Sequence, residues 1–290
     1  MIINELKVIN LFCELDDFVT AFDKKMAAHL IQSCNPKSVN RPEISISEMM
    51  CLEILYHHSG YKCFQYYYQQ EVEKGYLRSY FPCAPCYGRF VQLKSRMLTY
   101  LVLYLNLCRL GQLCGIYYAD STILTVCNNR RIHGHKVFKN QAARGKSSTG
   151  WFYGLKLFLV INAFGEIMNA FFTPGNVADN NLDTMVKLFG NLKGYAFADK
   201  GFINAKASES LMNKGLLLIT KLKKNMKNKL LTMEHKMLLN KRGLIESVND
   251  ILKTVCDIEH SRHRNPVNAL VNLYAGLCSY SWLERKPSIF

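Results

Sequence analysis

Three strand-like segments follow one another in the middle of the chain, and they limit the possible folds more than any other feature. Residues 115–126, 151–163 and 165–175 are rich in β-branched and aromatic residues, and NAFGE at 162–166 indicates a hairpin between the last two. Beyond them the pattern alternates between helix and strand. The alternating part has helices near 181–189 and 204–213, a strand ending at Asp199 and a strand at 216–220. This order predicts a mixed α/β sheet flanked by helices.

The residues before this sheet are predicted to be helical. SISE at 45–48 fits a capping box, the apolar run after it continues to Tyr56, and Gly60 suits the helix end. Two more helices are predicted over 63–72 and 89–109. Short helices joined by tight turns are compatible with either a helix-turn-helix or a plain helical bundle. With Gly111 and Gly115 marking the boundary, we expect a helical domain over 1–112 and an α/β domain over 113–290.

The sequence predicts neither a secretory signal nor a membrane-spanning segment. Charged residues interrupt the start of the chain, and the most apolar stretch, 98–110, contains Asn106 and Arg109 and is too short to span a bilayer. The 11 cysteines are scattered and odd in number, which is typical of reduced thiols. We therefore expect a cytoplasmic protein.

The positive charge is concentrated in the second part of the chain. The net charge is +15; residues 1–112 carry 12 Lys/Arg against 10 Asp/Glu, and residues 113–290 carry 25 against 12. Two basic runs without acids occupy 130–146 and 221–229. A solvated surface is the ordinary explanation of one such run, but two of them favour contact with nucleic-acid phosphates. The candidate contacts are Arg130, Arg131, Lys221, Lys223, Lys224 and Lys227.

Two aspartates occupy unusual positions in the predicted strands. Asp120 lies within the first strand, where an aspartate is disfavoured and costly to bury without compensation. Asp199 ends the later strand, where a cap on the following turn or helix is the alternative interpretation. If the two strands are neighbours, both carboxylates lie at the same edge of the sheet.

A third carboxylate is expected from the predicted helix within 241–260. Its polar face carries both Glu246 and Asp250, either of which could serve, although an ordinary exposed glutamate is the simpler explanation. Three carboxylates in one site need a cation to coexist, and Mg²⁺ is a hard ion that prefers such oxygens. Two such ions would support an in-line phosphoryl displacement. The sequence contains no GxSxG, P-loop or HExxH motif that would indicate another chemistry.

Six segments, in this order, carry a resemblance to a known family. They are YADST (118–122), GLKLFLV (154–160), TPGNVAD (173–179), ADKGF (198–202), KRGLIESVNDILK (241–253) and IEHSRHR (258–264). With them the chain resembles the DDE-type transposases of bacterial insertion sequences, which have a ribonuclease-H-like catalytic core, and it most resembles the group numbered nine-eighty-two. Arg242, Glu246 and Lys253 match the R-x3-E-x6-K pattern of that superfamily, which favours Glu246 over Asp250.

The resemblance implies a catalytic triad of Asp120, Asp199 and Glu246 that holds Mg²⁺, with Mn²⁺ as a possible substitute. Water would cleave the 3′ ends of the transposable element, and the freed 3′-OH would attack target DNA. Arg242 and Lys253 would contact DNA phosphates, and Lys200 would either do the same or remain solvated.

The same resemblance implies the partners of the protein. They are double-stranded DNA, both as terminal inverted repeats and as target, and further copies of the chain in a dimer or larger oligomer on DNA. Residues 1–112 would recognise the element ends, and the protein would associate with the bacterial nucleoid.

Two positions depart from the family pattern, and two other functions remain open. Phe158 stands where members often have histidine, and Leu239 stands where a tyrosine often precedes the arginine. The alternatives are a decayed or co-opted DNA-binding protein without catalysis, and a ribonuclease-H-like nuclease that does not join strands.

Overall fold

The computed structural model describes residues 5–29, 43–147, 150–221, 231–259 and 263–290, which form two compact units. The helical unit contains the described residues up to Cys108 together with 255–258 and 267–280. The sheet unit contains those of 109–254, 259–266 and 281–290. The helical unit therefore includes C-terminal residues that the sequence analysis assigns to the second domain.

Six helices from the first part of the chain build most of the helical unit. They are α1 (Glu5–His29), α2 (Ile46–Ser59), α3 (Phe64–Tyr67), α4 (Leu77–Tyr80), α5 (Tyr87–Leu93) and α6 (Leu98–Cys108). The capping box predicted for α2 is confirmed. The Glu48 amide donates to Ser45 Oγ at 3.1 Å, and the Glu48 carboxylate accepts from the Ser45 amide at 2.6 Å. Gly60 ends α2 with a φ of 79°, a conformation that glycine adopts without strain.

The other predicted helices are interrupted. A π-helical turn, Tyr68–Glu73, continues α3, and a 3-10 turn, Lys94–Met97, separates α5 from α6. The 3-10 turn places Lys94 inside the unit, where its Nζ lies 2.7 Å from Glu53 Oε1 and 3.7 Å from the centre of the Phe64 ring. Burial raises the pKa of Glu53 and lowers that of Lys94.

Helix α11 (Pro266–Ser281) contributes to the same unit. Asn268 Nδ2 donates to the Val91 carbonyl at 3.1 Å, and the Cys278 thiol lies 3.8 Å from the Leu101 carbonyl oxygen. His57 Nδ1 hydrogen-bonds with the carbonyl oxygen of Cys256. Residues 255–258 and 267–280 thus share one helical core with the first part of the chain.

The sheet unit is built on six strands. They are β1 (Ile116–Cys127), β2 (Ala143–Ser147), β3 (Gly150–Asn162), β4 (Ile167–Pro174), β5 (Gly194–Ala198) and β6 (Leu216–Thr220). The order is β2-β3-β1-β5-β6, with β4 paired to β3. The pairs of β3 with β1, β2 and β4 are antiparallel, whereas β5 is parallel to β1 and to β6. The predicted strands are all present, and β2 is an addition.

Helices cover both faces of this sheet. On one face Tyr117, Phe158 and Phe202 form an apolar core with α7 (Leu182–Phe189) and α8 (Ala205–Asn213). On the other face the Tyr118 hydroxyl donates to the Leu238 carbonyl of α9 (Met233–Asn240) at 3.2 Å, and α10 (Gly243–Thr254) lies along β1. Antiparallel strands followed by two parallel ones, flanked by helices, form the ribonuclease-H-like arrangement, so the predicted fold class is confirmed. Among the described residues, no helix has the length and apolar character needed to cross a membrane.

The strands differ in length, which gives one part of the sheet a distinct shape. β1 pairs with β5 only as far as Ala119 and Ala198, but it pairs with β3 as far as Cys127 and Tyr153. The antiparallel strands β1 and β3 therefore continue past the end of β5, and β2 pairs with β3 in this extension. We call residues 121–127, 143–147 and 150–158 the ribbon.

The helix predicted within 241–260 is shorter than its apolar pattern suggests. α10 ends at Thr254, Val255 is 45% exposed, and Asp257 has a φ of 48°. Asp257 pairs with Lys62 of the helical unit at 3.5 Å. The pattern within 241–260 also puts Val255 on the apolar face and Asp257 on the polar face of the predicted helix, and this part of the prediction is wrong, because the chain passes to the other compact unit at this point.

Candidate active site

Asp120 and Asp199 occupy neighbouring positions at the end of β5. The last pair between β1 and β5 joins Ala119 to Ala198. Asp120 directly follows Ala119, and Asp199 directly follows Ala198. Neighbouring strands lie about 4.8 Å apart, so the two aspartates begin side by side at one edge of the parallel part of the sheet. The structure thus brings together the two aspartates that the sequence analysis selected.

Asp199 lacks the hydrogen bond of a capping residue. It precedes a short 3-10 turn, Lys200–Phe202, and its side chain makes no capping bond to that turn. The next helix, α8, has its own cap, because Asn204 Oδ1 accepts from the Ala207 amide at 3.1 Å. Asp199 is partly buried. Its carboxylate is therefore available for another role.

Asp120 is held in an environment that opposes its charge. Burial raises the pKa of Asp120 to about 6, and the nearby carboxylates of Asp179 and Glu246 act in the same direction. The Ser121 backbone amide and the Arg242 guanidinium oppose this shift. Asn249 Nδ2 also donates to Asp120 Oδ2 at 3.0 Å. A cation close to Asp120 would relieve this unfavourable ionisation.

Asp179 is a further acidic residue of the site that the sequence analysis did not select. Its Oδ1 accepts from Ser121 Oγ at 2.7 Å and from Lys156 Nζ at 3.0 Å. A Cβ atom on Gly201 would lie 3.2 Å from Asp179 Oδ2, so the turn after Asp199 passes close to this carboxylate. The sequence feature that points to Asp179 is Lys156, because a lysine in the middle of an apolar strand needs an acidic partner. Asp179 also ends the TPGNVAD segment.

α10 presents a polar stripe to β1. Glu246, Asn249 and Lys253 follow one another at spacings of three and four residues, so they share one side of α10, and Arg242 lies in the turn just before the helix, four residues ahead of Glu246. Arg242 Nη2 donates to Glu246 Oε1 at 2.6 Å, and the Glu246 side chain is 59% exposed. Lys253 Nζ donates to the Ile123 carbonyl at 2.7 Å and lies 3.3 Å from Glu259 Oε2. The groups on Arg242 and Lys253 expected to contact DNA are thus engaged within the protein.

The remaining basic candidates are dispersed over the sheet unit. Arg130 and Arg131 are exposed in a 3-10 turn after β1 and line a cavity of about 570 Å³ that also borders His135 and His263. Lys200 and Lys221 are exposed. The other candidates, Lys223, Lys224 and Lys227, lie outside the described residues.

The oxygen atoms around Asp120 suit a hard cation, although Asp120, Asp199 and Glu246 do not form a metal-binding cluster in the described part of the chain. Within the described ranges, no group of three or more His, Cys, Asp or Glu residues is arranged to hold a metal. Carboxylate oxygens of Asp120 and Asp199 are the type of ligand that Mg²⁺ prefers. Asn249 Oδ1 is a buried oxygen with no hydrogen-bond partner in the described structure. The residues present therefore fit such an ion chemically, with Glu246 still paired to Arg242.

Phe158 lies on the opposite side of the sheet from Asp120. It is fully buried, stacks on Phe171 with ring centres 5.6 Å apart, and meets the edge of Phe202 at 6.3 Å. It pairs with Ser121, whereas Asp120 pairs with Leu159. Phe158 therefore belongs to the apolar core and not to the face of the sheet that carries Asp120.

Comparison with known proteins gives one match. A family model described as "Transposase DDE domain" matches residues 110–266, which is more than half of the chain. No curated protein and no solved structure matches.

Proposed function

Because the chain belongs to the transposase DDE-domain family, we propose that it is an insertion-sequence transposase that cuts DNA at the ends of its element and joins the freed 3′-OH to target DNA. The six quoted segments favour the group numbered nine-eighty-two. The observation that best supports this function is the pairing of Ala119 with Ala198, which sets Asp120 beside Asp199 next to the polar stripe of α10.

Asp120, Asp199 and Glu246 would hold Mg²⁺ or Mn²⁺. Such ions, when bound, supply the positive charge that an in-line displacement at phosphorus requires. Arg242 Nη2 donates to Glu246 Oε1 at 2.6 Å, and Glu246 would exchange this partner for the ion when it joins the two aspartates. Arg242 would then be free to contact a DNA phosphate, so one rearrangement would serve both residues.

Other side chains would position these groups. Asn249 fixes one oxygen of Asp120 through its amide. Lys253 fixes α10 against β1 through the Ile123 carbonyl, a contact that supports the site without requiring DNA. Lys200 is exposed next to Asp199 and would contact the phosphate backbone.

The proposed partner is double-stranded DNA, bound both as terminal inverted repeats and as target by a dimer or larger oligomer. The helical unit would choose the element ends, while the basic sheet unit, which must accept arbitrary target sequences, would contact phosphates. Such a protein would act at the nucleoid.

Charge-removing variants of the three acids test the proposal. Asp120→Asn, Asp199→Asn and Glu246→Gln keep the size of each side chain and should lose Mg²⁺-dependent cleavage and joining of DNA that carries the element ends, while they still bind that DNA. Asp250→Asn is the matched control, since Asp250 is exposed on the same helix. Near-normal cleavage by Asp199→Asn would contradict the triad.

The same assay separates the other functions. Cleavage of end DNA by the unchanged protein without any joined product would indicate a nuclease. DNA binding without cleavage in Mg²⁺ or Mn²⁺ would indicate a DNA-binding protein that lacks catalysis.

A further inference from the structure

The ribbon carries an exposed aromatic ring flanked by cations. Trp151, near the start of β3, is 52% exposed. The Arg144 guanidinium lies 4.7 Å from the centre of its ring, and Lys146 Nζ lies 5.8 Å away. Both cations are themselves exposed on β2. We call Arg144, Lys146 and Trp151 the Trp151 platform.

The Trp151 platform lies on the same face of the ribbon as Asp120. Asp120 pairs with Leu159, and side chains alternate between the two faces along β3, so Trp151, eight residues before Leu159, shares that face. Eight residues of strand span roughly 26 Å. A DNA strand that leaves Asp120 along the ribbon would reach the platform after about eight nucleotides at roughly 3.4 Å each.

The surroundings of the platform attract a polyanion. Residues 121–165 contain seven Lys/Arg and no Asp or Glu. Asn129 Nδ2 donates to the Trp151 carbonyl at 2.6 Å, and this bond ties the exposed turn with Arg130 and Arg131 to the platform. Two exposed cations thus lie beside the exposed indole ring, and two more occupy the turn that is bonded to its backbone.

Cations alone would serve duplex DNA, so the exposed indole needs a different explanation. A paired base has its faces covered by its neighbours in the duplex, whereas an unpaired base has a face free to stack on an aromatic side chain. The ring and its cations together match the two parts of a single strand, base and phosphate. A Trp151 that served only to hold β2 in place would not need two exposed cations beside its ring.

We propose that the Trp151 platform binds an unpaired stretch of DNA next to the duplex, with a base stacked on Trp151 and phosphates on Arg144 and Lys146. The inference rests on the proposed function, since it concerns the DNA that reaches Asp120 and Asp199. It assigns the platform a preference for unpaired over paired DNA.

Tryptophan fluorescence reports this contact directly, because the chain has only two tryptophans, Trp151 and Trp282. In a Trp282→Phe variant of the full chain, Trp151 is the sole reporter. Titration with a duplex that carries a single-stranded extension of about ten nucleotides, within the usual site size, should quench its emission. A blunt duplex of the same sequence should leave the emission nearly unchanged.

Binding measurements on a second set of variants complete the test. Trp151→Ala should weaken binding to the extended duplex roughly 5- to 100-fold, as expected for the loss of one stacked base, and leave blunt-duplex binding unchanged. Trp151→Phe should retain most of the affinity. Arg144→Gln with Lys146→Gln should lower the salt dependence of binding to the extended duplex and leave that of the blunt duplex nearly unchanged. Phe164→Ala, which removes another exposed aromatic ring of the sheet unit, is the matched control.

The inference is overturned if the extended duplex does not quench Trp151, or if Trp151→Ala binds the two DNAs with unchanged relative affinity. If Trp151→Ala fails to fold, the quenching experiment decides alone. The Asp120→Asn variant should keep the quenching while it loses cleavage. If the unchanged protein shows quenching but no cleavage, the proposed function is refuted and the binding of unpaired DNA by the Trp151 platform stands. If it shows cleavage but no quenching, the proposed function stands and the role of the platform is refuted.

Discussion

Asp120 shows how one side chain can be unfavourable for folding and suited to binding. Burial and the carboxylates of Asp179 and Glu246 oppose its ionisation, and the Arg242 guanidinium with the Asn249 amide only partly offsets them. A carboxyl group whose pKa is raised in the folded state lowers stability once it is ionised, and the same excess of negative charge attracts a cation. Stability without metal should therefore depend on pH at this residue.

We expect Asp120→Asn to melt at a higher temperature than the unchanged protein at pH 8 in a chelator. The folded-state pKa of about 6 lies above the usual value of about 3.9, so the ionised carboxylate reduces stability above pH 6 and not below pH 4. The gain should be at most about 3 kcal/mol and should vanish as the pH falls from 6 to 4.

Thermal melting over a pH series measures this difference, with Asp250→Asn as a control that should show no such trend. A difference in melting temperature that is the same at pH 8 and pH 4 would contradict the assigned environment of Asp120.

At this scale the sequence reveals some site residues and hides others. Asp120 and Asp199 are recognisable because an acid within or at the end of an apolar strand breaks a strong pattern. Asn249 is not, because an asparagine in an amphipathic helix is ordinary until the helix is seen to lie on β1. The pairing of Asp179 with Lys156 joins residues 23 positions apart, which no local pattern encodes.

The 3-10 turn between α5 and α6 illustrates the same limit at the scale of elements. The apolar pattern predicts one helix over 89–109, but the chain tightens at Lys94, whose buried ammonium meets Glu53 of α2. Strand β2, with the sequence ARGKS, has no apolar alternation and exists through its pairing with β3. By contrast α2, whose capping box and terminal glycine are local signals, is predicted almost to the residue.

The buried pair of Glu53 and Lys94 should govern the stability of the helical unit. Lys94→Met should lower the free energy of unfolding by about 3–5 kcal/mol, because it leaves Glu53 buried without its partner. The double variant Glu53→Leu, Lys94→Met removes both charges and should recover most of that loss. Urea denaturation of the unchanged protein, Lys94→Met, Glu53→Leu and the double variant gives the comparison. Additive losses in the double variant would show that the two charges do not act as a pair.

Over the whole molecule, the chain order and the compact units do not coincide. Along the chain, most of the sheet unit comes before the last residues of the helical unit. Residues 255–258 and 267–280 belong to the helical unit although they follow the last strand in sequence. The sequence pattern changes from helix to strand near Gly111, and the first compact stretch of the helical unit ends at Cys108. The sequence does not predict that α11 belongs to the helical unit, because the apolar pattern of a helix does not show which core the helix packs against.

A fragment of residues 1–112 should therefore fold poorly. Without α11 it loses the helix that contacts Val91 and Leu101, and it exposes apolar surface that is covered in the full chain. Fusion of 266–281 to the fragment through a flexible Gly/Ser linker should restore a cooperative thermal transition in circular dichroism. A fragment 1–112 that melts as cooperatively as the fused form would contradict the assignment of α11 to this unit.

Because α11 belongs to the helical unit, that unit can be completed during synthesis only after α11 has been made. At roughly 5–20 residues per second, about ten to thirty seconds of synthesis separate Cys108 from Tyr280, and the helical core remains open on the ribosome throughout that interval. A nascent chain halted by a premature stop codon before α11 lacks a finished helical unit as well as the end of the protein. Such a truncated chain therefore has no complete helical unit with which to compete with the full-length protein for the DNA ends of the element.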